Sequence, residues 1–263
     1  MLLNSRKNKH IFKLNTVELE IVTEYVYLGI KLSNGRLTSL ISKHINDIIA
    51  KAEKRVNCIR HLGFHSDGLR PETSIGMYKT LVRPILEYAA QVLTYKHHHF
   101  HEVYNDLPGK STSEHLIRLE KLQNRVLKIL IPCPKSTPPA LIRLLTGITP
   151  ILGRVDMLKM RYFWRSIHQE ETHLSEQICE RNRQAKLGFV HEVFKLCGKY
   201  NHMNVWLGFK TPKVNPVREI RRVVEKFHYK KDLEKYSLTN CLYTTLFIKN
   251  RTDGHRQYKI NLS

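Results

Sequence analysis

The sequence predicts a mainly α fold: a small antiparallel β-hairpin or sheet at the N-terminus, then a helical bundle, then a helical C-terminal extension. Three observations carry this. Ile41, Ile45, Ile48, Ile49, Ala52, Val56 and Ile59 recur at helical spacing, and similar apolar stripes follow further along. The first 32 residues hold only short runs rich in β-branched and aromatic side chains. Proline and glycine gather between the stripes, where helices must stop. These breaks divide the chain into residues 1–36, 37–170 and 171–263.

Residues 1–10 are polar and basic and read as a loose end. Ile11–Leu14, Val17–Val22 and Tyr25–Leu32 read as strands, with alternation clearest in Val17–Ile21, and Asn34–Gly35 is a turn signal because both residues tolerate positive φ. Two or three such strands are barely stable alone, so they must pack on the helices that follow.

The first long helix spans about Ser39 to Leu62, capped by Thr38 or Ser39 and ended by Gly63, with Lys43, Lys51 and Lys54 opposite its apolar stripe. A turn over residues 64–70 leads to a second helix. Pro71 suits its first turn, and Ile75, Tyr78, Leu81, Val82, Ile85, Leu86 and Ala89 form one face running toward Leu93. Pro84 interrupts that face and bends the helix, at a cost of roughly 3 kcal/mol. On this reading Leu81 and Ile85 are core residues.

Residues 96–114 break the pattern with His97-His98-His99-Phe100-His101. Alternate imidazoles can converge on a transition metal, but no cysteine or carboxylate pattern completes a ligand set, and the stretch reads as a polar loop. The helix of about Ser113 to Leu130 buries Leu116, Leu119, Leu122, Gln123, Val126, Leu127 and Leu130, and presents Arg118, Lys121, Arg125 and Lys128 on the other face.

Thr137 and Pro138 can start a short helix that Gly147 ends. Pro150 opens another, with Ile151, Val155, Leu158 and Tyr162 in line and Phe163, Trp164 and Ile167 off that line, as in a helix buried on two sides. Residues 174–200 read as a polar helix with an apolar end. Asn215 can cap a helix over Pro216–Lys231, and residues 233–250 hold a mixed apolar run.

Charge is the strongest functional indication. The 263 residues carry 44 Lys plus Arg against 23 Asp plus Glu, a net of +21 before counting 15 histidines. Such a chain seeks polyanions, nucleic acid before anionic membrane. Its five cysteines lie far apart with no CxxC spacing and read as reduced thiols, so the expected setting is intracellular, nuclear or cytoplasmic and not secreted. No stretch reaches the length of a membrane span, and Met1-Leu2-Leu3 is too short for a signal-peptide core.

Four segments carry a family resemblance. Leu81-Val82-Arg83-Pro84-Ile85-Leu86-Glu87-Tyr88 resembles the helical segment that follows the palm in reverse transcriptases of LINE-type (non-LTR) retrotransposons. Tyr27-Leu28-Gly29-Ile30, with Val22 and Glu24 before it, resembles the motif that closes the palm. Leu119–Leu127 and Leu144–Pro150 also look like that family, and the match covers roughly Val17 to Ile167 in order. Leu93, where the family often shows tryptophan, and the histidine stretch depart from it.

The resemblance implies the end of a palm in residues 1–36 and a thumb-like helical bundle in residues 37–170. A thumb grips a template–primer duplex by its backbone. The implied nucleic-acid contacts are Tyr27, Leu28 and Gly29 at the hairpin, Arg83 on the bent helix, and the basic faces bearing Lys43, Lys51, Lys54, Arg118, Lys121, Arg125 and Lys128. The implied partner is RNA, DNA or their hybrid, and the sequence names no protein partner.

The catalytic half of such an enzyme is not in this sequence. Two-metal nucleotide addition needs converging carboxylates, and the chain has no Asp-Asp; Tyr104-Asn105-Asp106 is the nearest imitation and follows the bent-helix segment. The expectation is a truncated reverse transcriptase that is no enzyme by itself and holds no cofactor, the Mg²⁺ belonging to the missing palm. A helical protein–protein interaction module and a transposon relic without a present role are the alternatives. An independent enzyme would need converging acids or Cys–His pairs that the sequence does not offer.

Overall fold

The alternating residues near the N-terminus fold into hairpins, and the apolar stripes after them fold into helices. The computed structural model describes residues 13–14, 17–18, 22, 24–33, 37–61, 70–91, 114–131, 133–134, 136–168, 174–185, 188–207 and 216–237. Residues 1–10, Asn34–Gly35, Gly63, Leu93, the histidine stretch with Tyr104-Asn105-Asp106, the Asn215 cap and the run beyond Ser237 lie outside them. The described chain is mainly α.

β1 (Lys13–Leu14) pairs antiparallel with β2 (Val17–Glu18), and β3 (Glu24–Tyr27) with β4 (Ile30–Ser33), Tyr27 opposite Ile30. The single strand expected over residues 25–32 therefore folds back on itself. Leu28 at φ 46° and Gly29 at φ 76° make the two-residue turn, in the left-handed conformations that match the strand twist. Glycine inside a strand-like run was the available sign.

α1 (Leu37–His61) starts one residue before Thr38, so both expected caps, Thr38 and Ser39, lie within its first turn. Ile45, Ile48, Ala52, Val56 and Ile59 are buried, and Ile49 packs against them half-buried. The bent helix comes in three parts: α2 (Pro71–Met77), a π-helical turn over Tyr78–Val82, and α3 (Arg83–Leu86).

Pro84 has no N–H to give the carbonyl four residues back. The chain widens instead, and the Arg83 N–H donates to the Tyr78 carbonyl five residues back. That extra residue changes which side chains face inward. Tyr78, Val82, Leu86 and Ala90 are fully buried, whereas Leu81 is 37% exposed and Ile85 only half-buried. The straight-helix face drawn through Leu81 and Ile85 is corrected accordingly. The helix also stops at Leu86, and residues 87–91 turn, with Ala89 at φ 57°.

α4 (Glu114–Leu130) buries the expected seven residues, Gln123 among them. Gln123 is satisfied there: the Tyr78 hydroxyl donates to its Oε1 at 2.7 Å, and its Nε2 donates to the Thr149 carbonyl at 3.1 Å. α5 (Pro139–Thr146) begins one residue later than expected, because Pro139 holds Pro138 extended at ψ 137°. Gly147, left-handed at φ 63°, ends it.

α6 (Ile151–Ser166) belongs to two cores. Ile151 and Val155 join α1, the bent helix, α4 and α5 in the first; Met157, Met160, Phe163 and Trp164 join the second. Tyr162, expected in the apolar line, is 37% exposed, since the faces of Phe163 and Met160 take the contacts. The second core is closed by α7 (Leu174–Ala185), α8 (Gly188–Lys199), α9 (Met203–Leu207) and α10 (Pro216–Ser237). The one helix expected over residues 174–200 is thus two, the second opening at Gly188 with φ 54°.

Polar ties fasten the second core. Lys159 donates to Glu192 at 2.7 Å. Asp156 accepts from Lys199 at 2.7 Å and from the Tyr200 hydroxyl at 2.8 Å, and that hydroxyl lies 3.0 Å from His228 Nε2. The His228 ring sits where a β-carbon on Gly153 would stand, so α6 and α10 meet through a glycine.

Candidate nucleic-acid interface

α1 and α4 pack side by side with their chains running the same way. Arg118 Nη2 donates to Asn46 Oδ1 at 2.6 Å, and Arg125 pairs with Glu53. Both links join residues 72 apart, so the seam keeps one register over a seven-residue step, about 10 Å along the axis.

This seam decides where the expected cations go. Arg118, Lys121, Arg125 and Lys128 recur at steps of three and four along the outer side of α4, and Lys43, Lys51 and Lys54 lie along the outer side of α1. Arg55 and Arg60, which the sequence reading passed over, are exposed on α1 as well. These side chains lie on two neighbouring helices. Acids interrupt them: Asp47 stands one turn from both Lys43 and Lys51, Glu114 stands one turn before Arg118, Glu53 pairs with Arg125, and Glu24 with Lys43. Exposed pairs of this kind are worth about 0–1 kcal/mol, so a phosphate can replace either carboxylate at small cost.

Tyr27, Leu28 and Gly29 form the hairpin tip, set at one end of this face. The Glu24–Lys43 pair fastens β3 to α1, and the Tyr88 hydroxyl donates to the Leu28 carbonyl. A β-carbon on Gly29 would lie 3.2 Å from Tyr88 Oη, so the tip is seated closely on the end of the bent helix. Leu28 is 72% exposed, and Tyr25, Val26 and Tyr27 are exposed beside it. Behind the tip, His44 packs against Tyr88, and burial lowers the pKa of its ring.

Arg83 is not on the α1–α4 face. It is half-buried on the far flank, 3.6 Å from Glu87, which also takes two bonds from Arg154. Seven of the eight expected cations therefore lie on α1 and α4, and Arg83 stands apart on the bent helix.

Beneath the face, side chains of the same helix have structural work. Glu120 Oε2 accepts the Ile151 N–H at 2.7 Å, capping α6, and its Oε1 accepts from Arg143 at 3.0 Å. Arg143 also grips Asp232 through two bonds of 2.8 and 2.5 Å. Burial pushes the Glu120 carboxyl above its usual range against the pull of Arg143. A cavity of about 560 Å³ opens beside this tie between α4, α5 and α10, with Lys121, Lys231 and Lys235 at its rim and Phe227 and Leu152 in its lining. Nothing in the sequence showed that residues of α5 and α10 would meet α4 here.

Among the described residues no three His, Cys, Asp or Glu side chains are grouped as a metal site requires, and no helix is long and apolar enough to cross a membrane. No family model matches the chain, and no curated protein or solved structure matches it either.

Proposed function

We propose that the chain binds double-stranded nucleic acid, an RNA–DNA hybrid foremost, through the α1–α4 face, as the thumb portion of a non-LTR retrotransposon reverse transcriptase without its catalytic carboxylates. The observation that carries the reading is the gathering of Lys43, Lys51, Lys54, Arg118, Lys121, Arg125 and Lys128 on two helices in one register. Packed helices lie about 8–10 Å apart. Two rows of long cationic side chains at that separation can follow the phosphate backbone of a duplex. Such contacts give affinity without reading sequence. The ordered motifs between Val17 and Ile167 supply the family, and the net charge of +21 supplies the attraction. By itself the chain grips and does not polymerise; Mg²⁺ chemistry would come from a palm elsewhere.

The test is a hybrid titration across a salt series with the full chain and K54Q/K121Q, one substitution from each helix. Each lost phosphate contact flattens the log–log salt slope by about 0.9, and at 0.1 M salt two lost contacts weaken binding about 60-fold. Equal slopes and affinities for the two proteins would defeat the assignment. A protein-binding role is favoured by one observation alone, the apolar hairpin tip of Tyr25, Val26, Tyr27 and Leu28; association that survives nuclease and is lost in L28S would support it.

A further inference from the structure

α6 carries three arginines, Arg154, Arg161 and Arg165, at steps of seven and four, which place them on one stripe of the helix. Arg83 from α3 and Arg221 from α10 approach the same stripe: Arg154 and Arg221 act on Arg83, and Arg165, Arg154 and Arg221 act on Arg161. Two carboxylates answer them. Glu87 takes Arg154 through bonds of 2.5 and 2.8 Å and Arg83 through a looser pair, and Glu225 accepts from Arg221 at 2.8 Å. Arg154–Glu87 is a structural tie between α6 and the turn after α3, enclosed on both sides. Among the described residues, Glu225 on the rim is bonded to Arg221, and Glu87 also acts on Arg161.

Two further facts point to a ligand. The Nε of Arg161 is buried and has no hydrogen-bond partner. Burial first, and then Arg165, Arg154 and Arg221, hold the Arg161 guanidinium below its ordinary pKa. A knot of like charges is unfavourable, and it is relieved by an anion that accepts several N–H bonds at once. Guanidinium forks match the unesterified oxygens of a phosphate better than any other common anion except a carboxylate.

We propose that Arg161, Arg165 and Arg221, with Arg83 behind them, form a phosphate site that takes a backbone phosphodiester of a nucleic-acid strand, separate from the α1–α4 face. The phosphate chemistry stands on the cluster alone; that the phosphate belongs to a nucleic acid rests on the reading above. A duplex held on α1 and α4 then has a second point of attachment on the α6 side of the bent helix.

The experiment uses the full chain, R161Q/R165Q and K54Q/K121Q, each titrated with an RNA–DNA hybrid across a salt series and each melted with and without inorganic pyrophosphate. The expected result is a slope flatter by about 1.8 and about 60-fold weaker binding at 0.1 M salt for R161Q/R165Q. Pyrophosphate is expected to raise the Tm of the full chain and of K54Q/K121Q, but not that of R161Q/R165Q. If R161Q/R165Q binds hybrid like the full chain while pyrophosphate still stabilises only the proteins with intact arginines, the site takes a free phosphate and the nucleic-acid assignment falls. If neither readout moves, the site itself falls, with the α1–α4 reading untouched. If R161Q/R165Q weakens hybrid binding and K54Q/K121Q does not, the arginine site stands and the α1–α4 reading falls. R165Q/R221Q, whose two side chains are exposed, replaces the double variant if R161Q/R165Q melts early on its own.

Discussion

Tyr78→Phe removes one oxygen atom from the centre of the first core and leaves the ring in place. In the native chain that hydroxyl donates to Gln123 Oε1 at 2.7 Å, and Gln123 Nε2 donates to the Thr149 carbonyl at 3.1 Å. Burial raises the Tyr78 pKa far beyond the ordinary phenol, so the group is a neutral donor at every accessible pH. Without it the Gln123 carbonyl is buried and unpaired, a cost of about 1–3 kcal/mol. Gln123→Leu strands two groups, the Tyr78 hydroxyl and the Thr149 carbonyl, and is expected to cost about 2–4 kcal/mol. The double variant strands only the Thr149 carbonyl, so its loss is expected near 1–2 kcal/mol, well under the sum of the singles. Urea unfolding of the four proteins measures this cycle. Additivity within about 0.5 kcal/mol would refute the reasoning. The same variants separate packing from contact: Gln123 is enclosed, so Gln123→Leu is expected to leave hybrid affinity unchanged.

The π-helical turn makes a second prediction. Leu86→Ala, at a fully buried position, is expected to cost about 2–5 kcal/mol, and Leu81→Ala, 37% exposed, under about 1 kcal/mol; urea midpoints in the reverse order would restore the straight-helix phase. A third prediction concerns acid. Burial, and after it Lys199, depress the folded-state pKa of His228 from 6.5 to about 3. The stability tied to its neutral ring is therefore complete above pH 6.5 and drains as pH falls toward 3, at up to about 1.4 kcal/mol per pH unit. His44 acts in the same direction. Thermal melts between pH 7 and pH 4 are expected to show a shallower decline for His228→Gln, and an equally steep one would place the acid loss on other groups.

Periodicity made most of the helices legible. The α4 stripe emerges buried as spaced and most of the α1 stripe with it, and Gly147 ends α5 because a left-handed residue was needed there. The basic side of α4 was equally visible, since Arg118, Lys121, Arg125 and Lys128 follow helical steps. What could not be read depended on partners far away in sequence. Gln123 looked like a polar residue on an apolar face until Tyr78 and Thr149 came to meet it. The arginine stripe of α6 was present in the spacing of Arg154, Arg161 and Arg165, but only Arg83 and Arg221 give it meaning. Local chemistry misled in three places. Pro84 brought a wider turn with its interruption, leaving Leu81 exposed while Val82 stayed buried; Leu28–Gly29 turned a run read as one strand; and Gly188 divided residues that composition had joined.

α6 lends its first two turns to one core and its remaining turns to the other. Neither half of the molecule can let go of its apolar interior without stripping a wall from its neighbour. Heat or denaturant should therefore meet one cooperative transition across both halves.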